Sequence, residues 1–375
     1  MIDSLHLTLM IGPVVPIPVG QDVLDALTEV EVTVKDVGAS GFQLRFRLSN
    51  QSPLHTLFLV SGQAQIPLVR VVIAATFNGQ VEVLMDGVMT DHQVSPGSDP
   101  GHSILTVTGE DLSRAMDYID FSGIPYPAMP PEARVALCIL KYAFLGVIPM
   151  IIPSLFIDVP IPVQIIPRHQ GTDLCYVRTL AERVGYVFYV EPGPVPGASV
   201  AYWGPHVKVG VPQPALNVAM DAHTNVEAMK FGFETDKKTM PIVFLQEPFS
   251  KLTIPIPVPD ITPLSPPLGI IPPIPKKFLP IQETAKLSFP QAAMLAIAEA
   301  AKTSESVTAT GSLDVARYGR ILKARRLVGV RGAGPAFDGL YYVKNVTHKI
   351  KRGEYKQDFT LTRNGLLSTV PRVPA

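Results

Sequence analysis

The chain has little cysteine and little charge, and both shortages exclude classes of protein. Its 375 residues include two cysteines, Cys138 and Cys175, and no CxxC motif. A disulfide framework or a cysteine-rich zinc module is therefore excluded, and we expect two buried, reduced thiols, compatible with assembly in a reducing cytoplasm. Charged residues make up 17% of the chain, so folded domains must bury much apolar surface.

The net charge is zero, which argues against a general nucleic-acid-binding protein, because such proteins neutralise phosphates with basic residues. The charges are nevertheless unevenly spread. Residues 1–125 contain five Lys/Arg and fourteen Asp/Glu, whereas residues 317–363 contain twelve against three. This asymmetry favours contact between an acidic first part and a basic last part, within one chain or between copies, with two independently solvated faces as the alternative.

No stretch has the pattern of a signal peptide or of a membrane span. The apolar run LTLMIGPVVPIPVG near the start follows no basic region and contains three prolines. The most apolar stretch, ALCILKYAFLGVIPMIIPSLFI, carries Lys141 in its middle and Pro149 and Pro153 towards its end. We therefore expect no stable membrane insertion.

Motifs for catalysis and for metal binding are absent too, so we expect no catalytic, cofactor or metal site. The histidines form neither an HExxH motif nor a helical i, i+4 pair. His348 follows the apolar side of a strand pattern and is predicted to lie in the core. The eight histidines are His6, His55, His92, His102, His169, His206, His223 and His348.

Three further features have a chemical interpretation that their context weakens. The sequence GVRGAG at 329–334 is followed by proline and lacks GK[ST], so a loop between strands is favoured over a phosphate loop. Paired carboxylates of a glycosidase are one interpretation of Glu110, Asp111 and Glu132. Glu110 and Asp111, however, lie where a helix is predicted to begin, and acidic side chains there offset the helix dipole without any further role. Trp203 has a possible sugar-stacking role, although packing at a strand end is favoured.

Alternating apolar and polar residues predict antiparallel hairpins near both ends of the chain. EVEVTV and FQLRFRL alternate on either side of VGASG, and Asn78-Gly79 joins VRVVIAATF to QVEVLMDGVMTD. SILTVTG adds another strand. Near the other end, YYVKNVTHKI and EYKQDFTLTR flank a turn at Arg352-Gly353. The first set of strands predicts a small antiparallel barrel or sandwich, and we interpret the strands near the other end as a second barrel.

Between the two strand-rich parts, the apolar period changes to that of helices. Residues 172–186 predict a helix with Thr172 as N-cap and Gly185 as its stop, followed by a hairpin of YVFYVEPG and ASVAYWGP. The buried face predicted for this helix comprises Leu174, Val177, Leu180, Ala181 and Val184. An earlier helix, in PPEARVALCILKYAFLGVI, is predicted to bury Ala136, Leu137, Leu140, Ala143, Phe144 and Val147.

Ten of the thirty residues at 252–281 are proline, and most others are Ile, Leu or Val. Strands are predicted on both sides of this run, so it is an insertion within the second barrel, followed by a helix in SFPQAAMLAIAEAAKTS. Proline withholds backbone donors from a sheet interior, so the run should be extended or edge-like. We expect an apolar arm that lies on a neighbouring subunit or on another protein, or that packs on its own chain.

The predicted fold class is α+β, mainly β, with two tube-like antiparallel β-barrel domains, a helical α/β middle domain and a proline-rich insertion in the second barrel. The predicted boundaries are 1–118 for the first barrel, 119–205 for the middle domain, 206–247 with 308–375 for the discontinuous second barrel, and 248–307 for the arm and its helix.

Three segments resemble phage tail proteins. GSLDVARYGRILKARRLVGVRGAGPAFDGLYYVKNVTHKIKRGEYKQDFTLTRNGL is similar to the C-terminal signature of the tail hub proteins of the late-control protein D group. RHQGTDLCYVRTLAERVGYVFYVEPG resembles a helix-then-strand segment of these proteins and of VgrG. EVEVTVKDVGASGFQLRFRL and LTVTGEDLSRAMDY resemble the first barrel of that family and its exit.

The resemblance implies a non-enzymatic baseplate hub of a contractile phage tail or related injection system, assembled in the bacterial cytoplasm. In that family, a homotrimer with two barrels per chain forms a pseudo-sixfold ring that adapts the hexameric tail tube to the trimeric spike. The implied partners are a spike protein, a tail tube or tube-initiator protein, and baseplate wedge proteins. VgrG chains continue into an OB-fold and a β-helical spike, so we expect the spike here to be a separate polypeptide.

Two alternatives come from other functional classes. A tail-associated cell-wall hydrolase would need a placed acid and base or a metal site. A standalone carbohydrate-binding β protein would be a monomer with affinity for sugar. In the hub interpretation, the charge asymmetry lets acidic first barrels alternate with basic second barrels around the ring.

Overall fold

The computed structural model describes residues 5–49, 68–96, 102–154, 160, 162–163, 166–246, 253–257, 265–280, 295–297, 299–300, 303–370 and 373. Within these ranges the strands are β1 (Leu5–Gly12), β2 (Ile17–Pro18), β3 (Leu27–Lys35), β4 (Gly41–Ser49), β5 (Arg70–Phe77), β6 (Gln80–Pro96), β7 (His102–Asp111), β8 (Val147–Ile151), β9 (Val187–Pro192), β10 (Ser199–Gly204), β11 (Gln213–Asn217), β12 (Ala228–Phe233), β13 (Thr239–Gln246), β14 (Thr253–Pro257), β15 (Gly269–Ile271), β16 (Lys277–Pro280), β17 (Val307–Asp314), β18 (Leu327–Arg331), β19 (Gly339–Lys351), β20 (Glu354–Arg363) and β21 (Leu366–Ser368).

Helices in the same ranges are few and short, which confirms that the fold is mainly β. None of them is long and apolar enough to cross a membrane. The α-helices are α1 (Gln21–Ala26), α2 (Pro131–Leu140), α3 (Asp173–Arg183) and α4 (Val315–Tyr318). Single 3-10 turns occupy Leu112–Asp117, Ala143–Leu145 and Asp221–His223.

One large sheet joins the first and last parts of the chain. Its strands follow the order β12-β17-β20-β19-β3-β4-β7-β6-β5-β1-β2, and β18 adds β11 beside β19. The expectation of two tube-like barrels is therefore wrong in the form stated, because no barrel closes among the described strands. The reason is that β3 has β4 on one edge and β19 on the other, so both halves share one sheet and one apolar core.

The seam between the halves is the antiparallel pairing of β3 with β19, which runs from Lys35 opposite Asn345 to Glu29 opposite Lys351. Buried Val32 lies opposite His348 on the core face. On the other face the Lys351 ammonium lies 3.2 Å from the Glu29 carboxylate. The acidic first part and the basic last part thus meet within one chain, as the charge asymmetry allowed.

The predicted hairpins are confirmed. β3 pairs with β4, β5 with β6, and β19 with β20, all antiparallel. Asn78 and Gly79 have φ of 49° and 76°, and Gly353 has φ of 77°, as these tight turns require. The side chains predicted to face inward on β20, from Tyr355 to Leu361 at every second position, are buried.

The middle part packs α2 and α3 against the three-stranded sheet β8-β10-β9. The α3 prediction is confirmed: its five predicted apolar residues are buried, the Thr172 hydroxyl accepts a hydrogen bond from the Cys175 amide at 3.3 Å, and Gly185 follows with φ of 68°. The hairpin of β9 and β10 is confirmed as well.

The predicted buried face of α2 is wrong. Leu137, Leu140, Ala143 and Phe144 are exposed, whereas Val147, beyond the helix, is buried as predicted. The helix itself buries the neighbouring stripe of Val135, Cys138 and Ile139. Both stripes are apolar at helical spacing, so periodicity alone does not choose between them. The helix also ends at Leu140, and the 3-10 turn that follows breaks the 3.6-residue period on which the longer face depended.

A buried ion pair ties the middle part to the large sheet. The Arg70 guanidinium on β5 contacts both oxygens of Asp86 on β6, at 2.7 Å each. The same guanidinium donates to the Gly197 carbonyl at 2.9 Å, and the Ser199 hydroxyl donates to Asp86 at 3.0 Å. The pair is almost fully buried, with side-chain exposures of 3% and 0%.

The described parts of the proline-rich run pair as strands with their own chain. β14 and β16 lie on either side of β13, and β15 pairs with β21. The extended conformation is therefore confirmed where the run is described. The helix predicted at 288–304 is described at 295–297, 299–300 and 303, which are helical, and otherwise lies outside the described residues. The division into domains stays a prediction.

We predict that Asp86→Asn lowers the free energy of unfolding by about 3–5 kcal/mol, because the buried Arg70 cation loses its counter-charge. Urea unfolding of the purified chain measures this. The matched control is Asp358→Asn, which breaks an exposed pair with Lys349 at 2.6 Å and should cost less than about 1 kcal/mol. Similar losses for both variants would contradict the prediction.

We also predict that His348 makes stability fall in acid. Burial lowers the pKa of its imidazole from the usual 6.5 to about 3, while the Tyr355 hydroxyl lies 2.8 Å from Nδ1. Between these pH values the unfolded chain binds a proton at His348 that the folded chain does not bind. The contribution of His348 to the unfolding free energy is therefore fully present above pH 6.5 and declines as the pH falls towards 3.

In His348→Asn, the unfolding free energy should fall by about 1.4 kcal/mol less per pH unit than it does in the unmodified chain. Urea midpoints between pH 6.5 and roughly 5 measure the slope. His223→Asn, at an exposed position on a 3-10 turn, is the matched control. Equal slopes for the two variants would count against the prediction.

Candidate functional site

The carboxylates singled out in the sequence have separate structural tasks. Asp111 accepts hydrogen bonds from the Ser113 amide at 3.0 Å and the Ser40 amide at 2.6 Å, and burial raises its pKa. Its role at the start of a helical turn is therefore confirmed. Glu132 instead holds Ser154, whose hydroxyl donates to it at 2.6 Å. The two carboxylates thus bind different segments of the described chain.

Trp203 is fully buried, and its indole nitrogen donates to the Val177 carbonyl at 3.4 Å while the Tyr186 ring packs at 4.9 Å. The packing interpretation is confirmed, because this ring has no free face for a sugar. In the glycine-containing sequence, Gly329–Arg331 end β18, and Gly332 and Gly334 turn the chain with positive φ. The Ala333 amide donates to Asp338 at 2.7 Å, so it is engaged by its own loop.

The two thiols differ in exposure. Cys138 is buried as expected, but Cys175 is exposed, which corrects that part of the expectation. Cys175 lies one residue beyond Leu174 on α3, and the rotation of about 100° per residue in a helix turns its side chain away from the core. Among the histidines, His348 and His169 are buried, whereas His55 lies outside the described residues.

A buried group of possible metal ligands lies between α2, the loop before α3, and α3 itself. The Cys138 sulfur, a ring nitrogen of His169 and a carboxylate oxygen of Asp173 all lie within 4.8 Å of one another. Motif reasoning missed this group because Cys138 is remote in sequence. His169 and Asp173 are four residues apart, but His169 lies in the loop before α3, so no helical spacing in the sequence marks the group.

Polar neighbours surround the group. The Tyr126 hydroxyl lies 3.0 Å from His169 Nδ1, and the Tyr142 hydroxyl donates to Asp173 at 2.9 Å. The Lys141 ammonium contacts the same carboxylate at 2.9 Å. Burial, followed by the nearby Asp173, raises the pKa of the Cys138 thiol to about 12, and burial lowers that of His169. Both groups are therefore uncharged at neutral pH when nothing else is bound.

A second polar cluster lies where the insertion re-enters the sheet. Glu305 contacts Lys208 at 2.7 Å and Lys344 at 2.8 Å. Burial opposes ionisation of Glu305, but the two ammonium groups hold its pKa at about 2. His206, with its Nε2 at 2.9 Å from the Tyr342 hydroxyl, has a pKa lowered to about 4, mainly by burial. The Glu305 carboxylate is therefore paired on both sides, while Asp36, whose pKa is raised by burial, lies 3.8 Å from His206 Nε2 in the same cluster.

Several exposed apolar side chains of the described residues are grouped at two places. The first is the outer side of α2 and β8, and the second is the described end of the proline-rich run. Exposed residues of the first place are Leu137, Leu140, Phe144, Ile148 and Met150; those of the second are Ile270, Ile271, Ile274, Phe278 and Leu279. Exposed apolar side chains grouped in this way are a feature of surfaces that bind other proteins.

Neither the family models nor the curated proteins give a match to the chain. Solved structures do match it. A tail protein from Neisseria meningitidis MC58 is 14% identical, with a TM-score of 0.62, and the match covers 97% of this chain and 98% of that protein. The 43 kDa tail protein of prophage MuSo2 from Shewanella oneidensis is 12% identical and covers 96% and 99%, with a TM-score of 0.61.

A third match is a chain of the Francisella PdpA–VgrG complex, which is 8% identical with a TM-score of 0.59. It covers all of this chain and 55% of its own length. Similarity at these identities is similarity of fold. The resemblance drawn from the sequence is confirmed at that level: this chain has the fold shared by phage tail proteins and the VgrG complex.

Proposed function

We propose that the chain is a structural baseplate hub of a contractile, phage tail-like injection system. The observation that carries the proposal is the similarity to two tail proteins along nearly the whole of both chains. Such similarity extends across the large sheet, the middle part and the insertion together. In this proposal the hub is a homotrimer whose ring adapts the hexameric tail tube to the trimeric spike.

The arrangement of polar groups supports a role without catalysis. Asp111 and Glu132 hold local backbone, and Trp203 is enclosed, so the features that a cell-wall hydrolase or a sugar-binding protein would use are engaged elsewhere. The exposed apolar residues of α2, β8 and the proline-rich run provide surface for the spike, tube and wedge partners that the proposal names. We infer that the particle is built in the bacterial cytoplasm.

Some charge of the first and last parts is neutralised inside the chain, at the β3–β19 seam and between Lys323 and Glu82 at 2.6 Å. Further charged side chains also pair within the chain, as Lys349 does with Asp358 and Lys356 with Glu227. Contacts between copies around the ring would use those charged side chains that do not pair within the chain. A ring of three copies uses two different faces of each chain, since cyclic contacts of this kind are heterologous.

We predict that mass photometry of the purified full chain detects a trimer, and that adding its spike protein shifts the trimer to a larger complex. The reason is that the hub joins three copies to a trimeric spike. A monomer that persists with and without the spike protein would contradict the proposal. Zymography on peptidoglycan is the companion measurement, and clear lysis would favour the hydrolase.

We further predict that the combined substitutions Ile270→Ser, Ile274→Ser and Phe278→Ser weaken assembly without unfolding the chain. These side chains are 61%, 82% and 63% exposed, so their removal should change the unfolding free energy by less than about 0.5 kcal/mol per site. Trimer fraction and co-purification with baseplate proteins are the measurements. Val211→Ser, at a position 90% exposed outside the run, is the control. Normal assembly of the triple variant would exclude this end of the run as an interface.

A further inference from the structure

We propose that Cys138, His169 and Asp173 form a binding site for a divalent transition metal ion of the zinc class. The ligand atoms are the Cys138 sulfur, a ring nitrogen of His169 and one carboxylate oxygen of Asp173, which lie within 4.8 Å of one another. We assign the metal to Nε2, because this nitrogen lies 3.6 Å from the Asp173 carboxylate. One sulfur, one nitrogen and one oxygen donor suit Zn²⁺ and Co²⁺ and are a poor match to Mg²⁺ or Ca²⁺, which prefer oxygen alone. The proposal departs from the expectation of no metal site.

The second observation is that His169 Nε2 is buried and has no hydrogen-bond partner. The imidazole is 1% exposed, and Nε2 points towards Asp173, 3.6 Å from its nearer oxygen. That distance is too long for a hydrogen bond and leaves the nitrogen lone pair directed into the group of ligands. A buried polar atom without a partner is costly, and a bound cation between nitrogen and oxygen removes that cost.

The surrounding side chains have the arrangement of a supporting shell. With a metal on Nε2, the proton of His169 lies on Nδ1 and donates to the Tyr126 hydroxyl at 3.0 Å, which fixes the tautomer and the ring. The Tyr142 hydroxyl orients Asp173 from its other oxygen. Binding displaces the thiol proton of Cys138 to solvent, so that a thiolate reaches the metal and the site becomes pH-dependent.

Lys141 competes with the metal for Asp173. Its ammonium contacts both carboxylate oxygens, at 2.9 and 3.2 Å, and its side chain is 34% exposed. It also lies 3.7 Å from the centre of the Phe121 ring, which offers the ammonium an alternative contact. The ammonium therefore can leave the carboxylate towards solvent, and its removal should strengthen metal binding.

The consequence of binding is a cross-link between three separate segments. Cys138 lies on α2, His169 in the loop before α3, and Asp173 in the first turn of α3. The two helices cover one side of the β8-β10-β9 sheet, so the metal would fix the middle part without taking part in any reaction. The site is independent of the proposed hub function, because it concerns stability of the fold rather than partners.

The test is titration of the reduced, metal-free full chain with Co²⁺, followed by displacement with Zn²⁺. We expect a thiolate-to-cobalt charge-transfer band in the near ultraviolet and intense visible bands of tetrahedral cobalt, saturating at one metal per chain. Cys175→Ser is the decisive variant, because it leaves Cys138 as the single thiol and changes an exposed residue. A full-strength band in this variant is the expected result.

Loss of the band in Cys175→Ser, or its persistence in Cys138→Ser, would overturn the proposal, as would its absence from the unmodified chain. Tyr126→Phe should weaken Co²⁺ binding about 10–100-fold while keeping the band, because it removes only the support of His169. Lys141→Met should bind Co²⁺ more tightly than the unmodified chain. Weaker binding by that variant would contradict the assigned competition at Asp173.

Discussion

The pairing of β3 with β19 is the constraint on which the rest of the structure depends. It joins strands from the beginning and the end of the chain, so it decides that the two β-rich parts form one sheet over one core. The seam is specified twice. On its core face lie valines, a histidine and an isoleucine, and a slip of one residue in the register would expose them. On its outer face Glu29 lies beside Lys351.

Local pairing and short turns could be predicted from the sequence. The hairpins at Asn78-Gly79 and Gly353, the capped α3, and the core position of His348 follow from period, turn residues and a side-chain cap, all of which act within a few residues. The charge asymmetry was compatible with contact between the ends of the chain, but it did not distinguish that contact from contact between copies or from two solvated faces. The three segments that resemble tail proteins are built from such local signals. The resemblance drawn from them was confirmed for the fold.

The sequence could not decide which strands pair when they are far apart in the chain, or how a helix is rotated about its own axis. Two closed barrels and one open sheet use the same strand patterns, because alternation does not say which strand lies beyond an edge. For α2, two adjacent apolar stripes were available, and packing against α3 selected the stripe with Cys138. That same rotation carried the Cys138 thiol to His169 and Asp173, so the candidate metal site arose from a choice that periodicity left open.

The seam also has a consequence for synthesis. Thr33 and Thr347, which hydrogen-bond across it at 3.0 Å, are 314 residues apart in the chain. A ribosome adding about 5–20 residues per second needs roughly 15–60 s to supply the second strand after the first. Throughout that interval β3 presents an open edge with apolar side chains, a template for pairing with another nascent chain. The yield of folded protein should therefore depend on how fast translation proceeds, and on what covers that edge meanwhile.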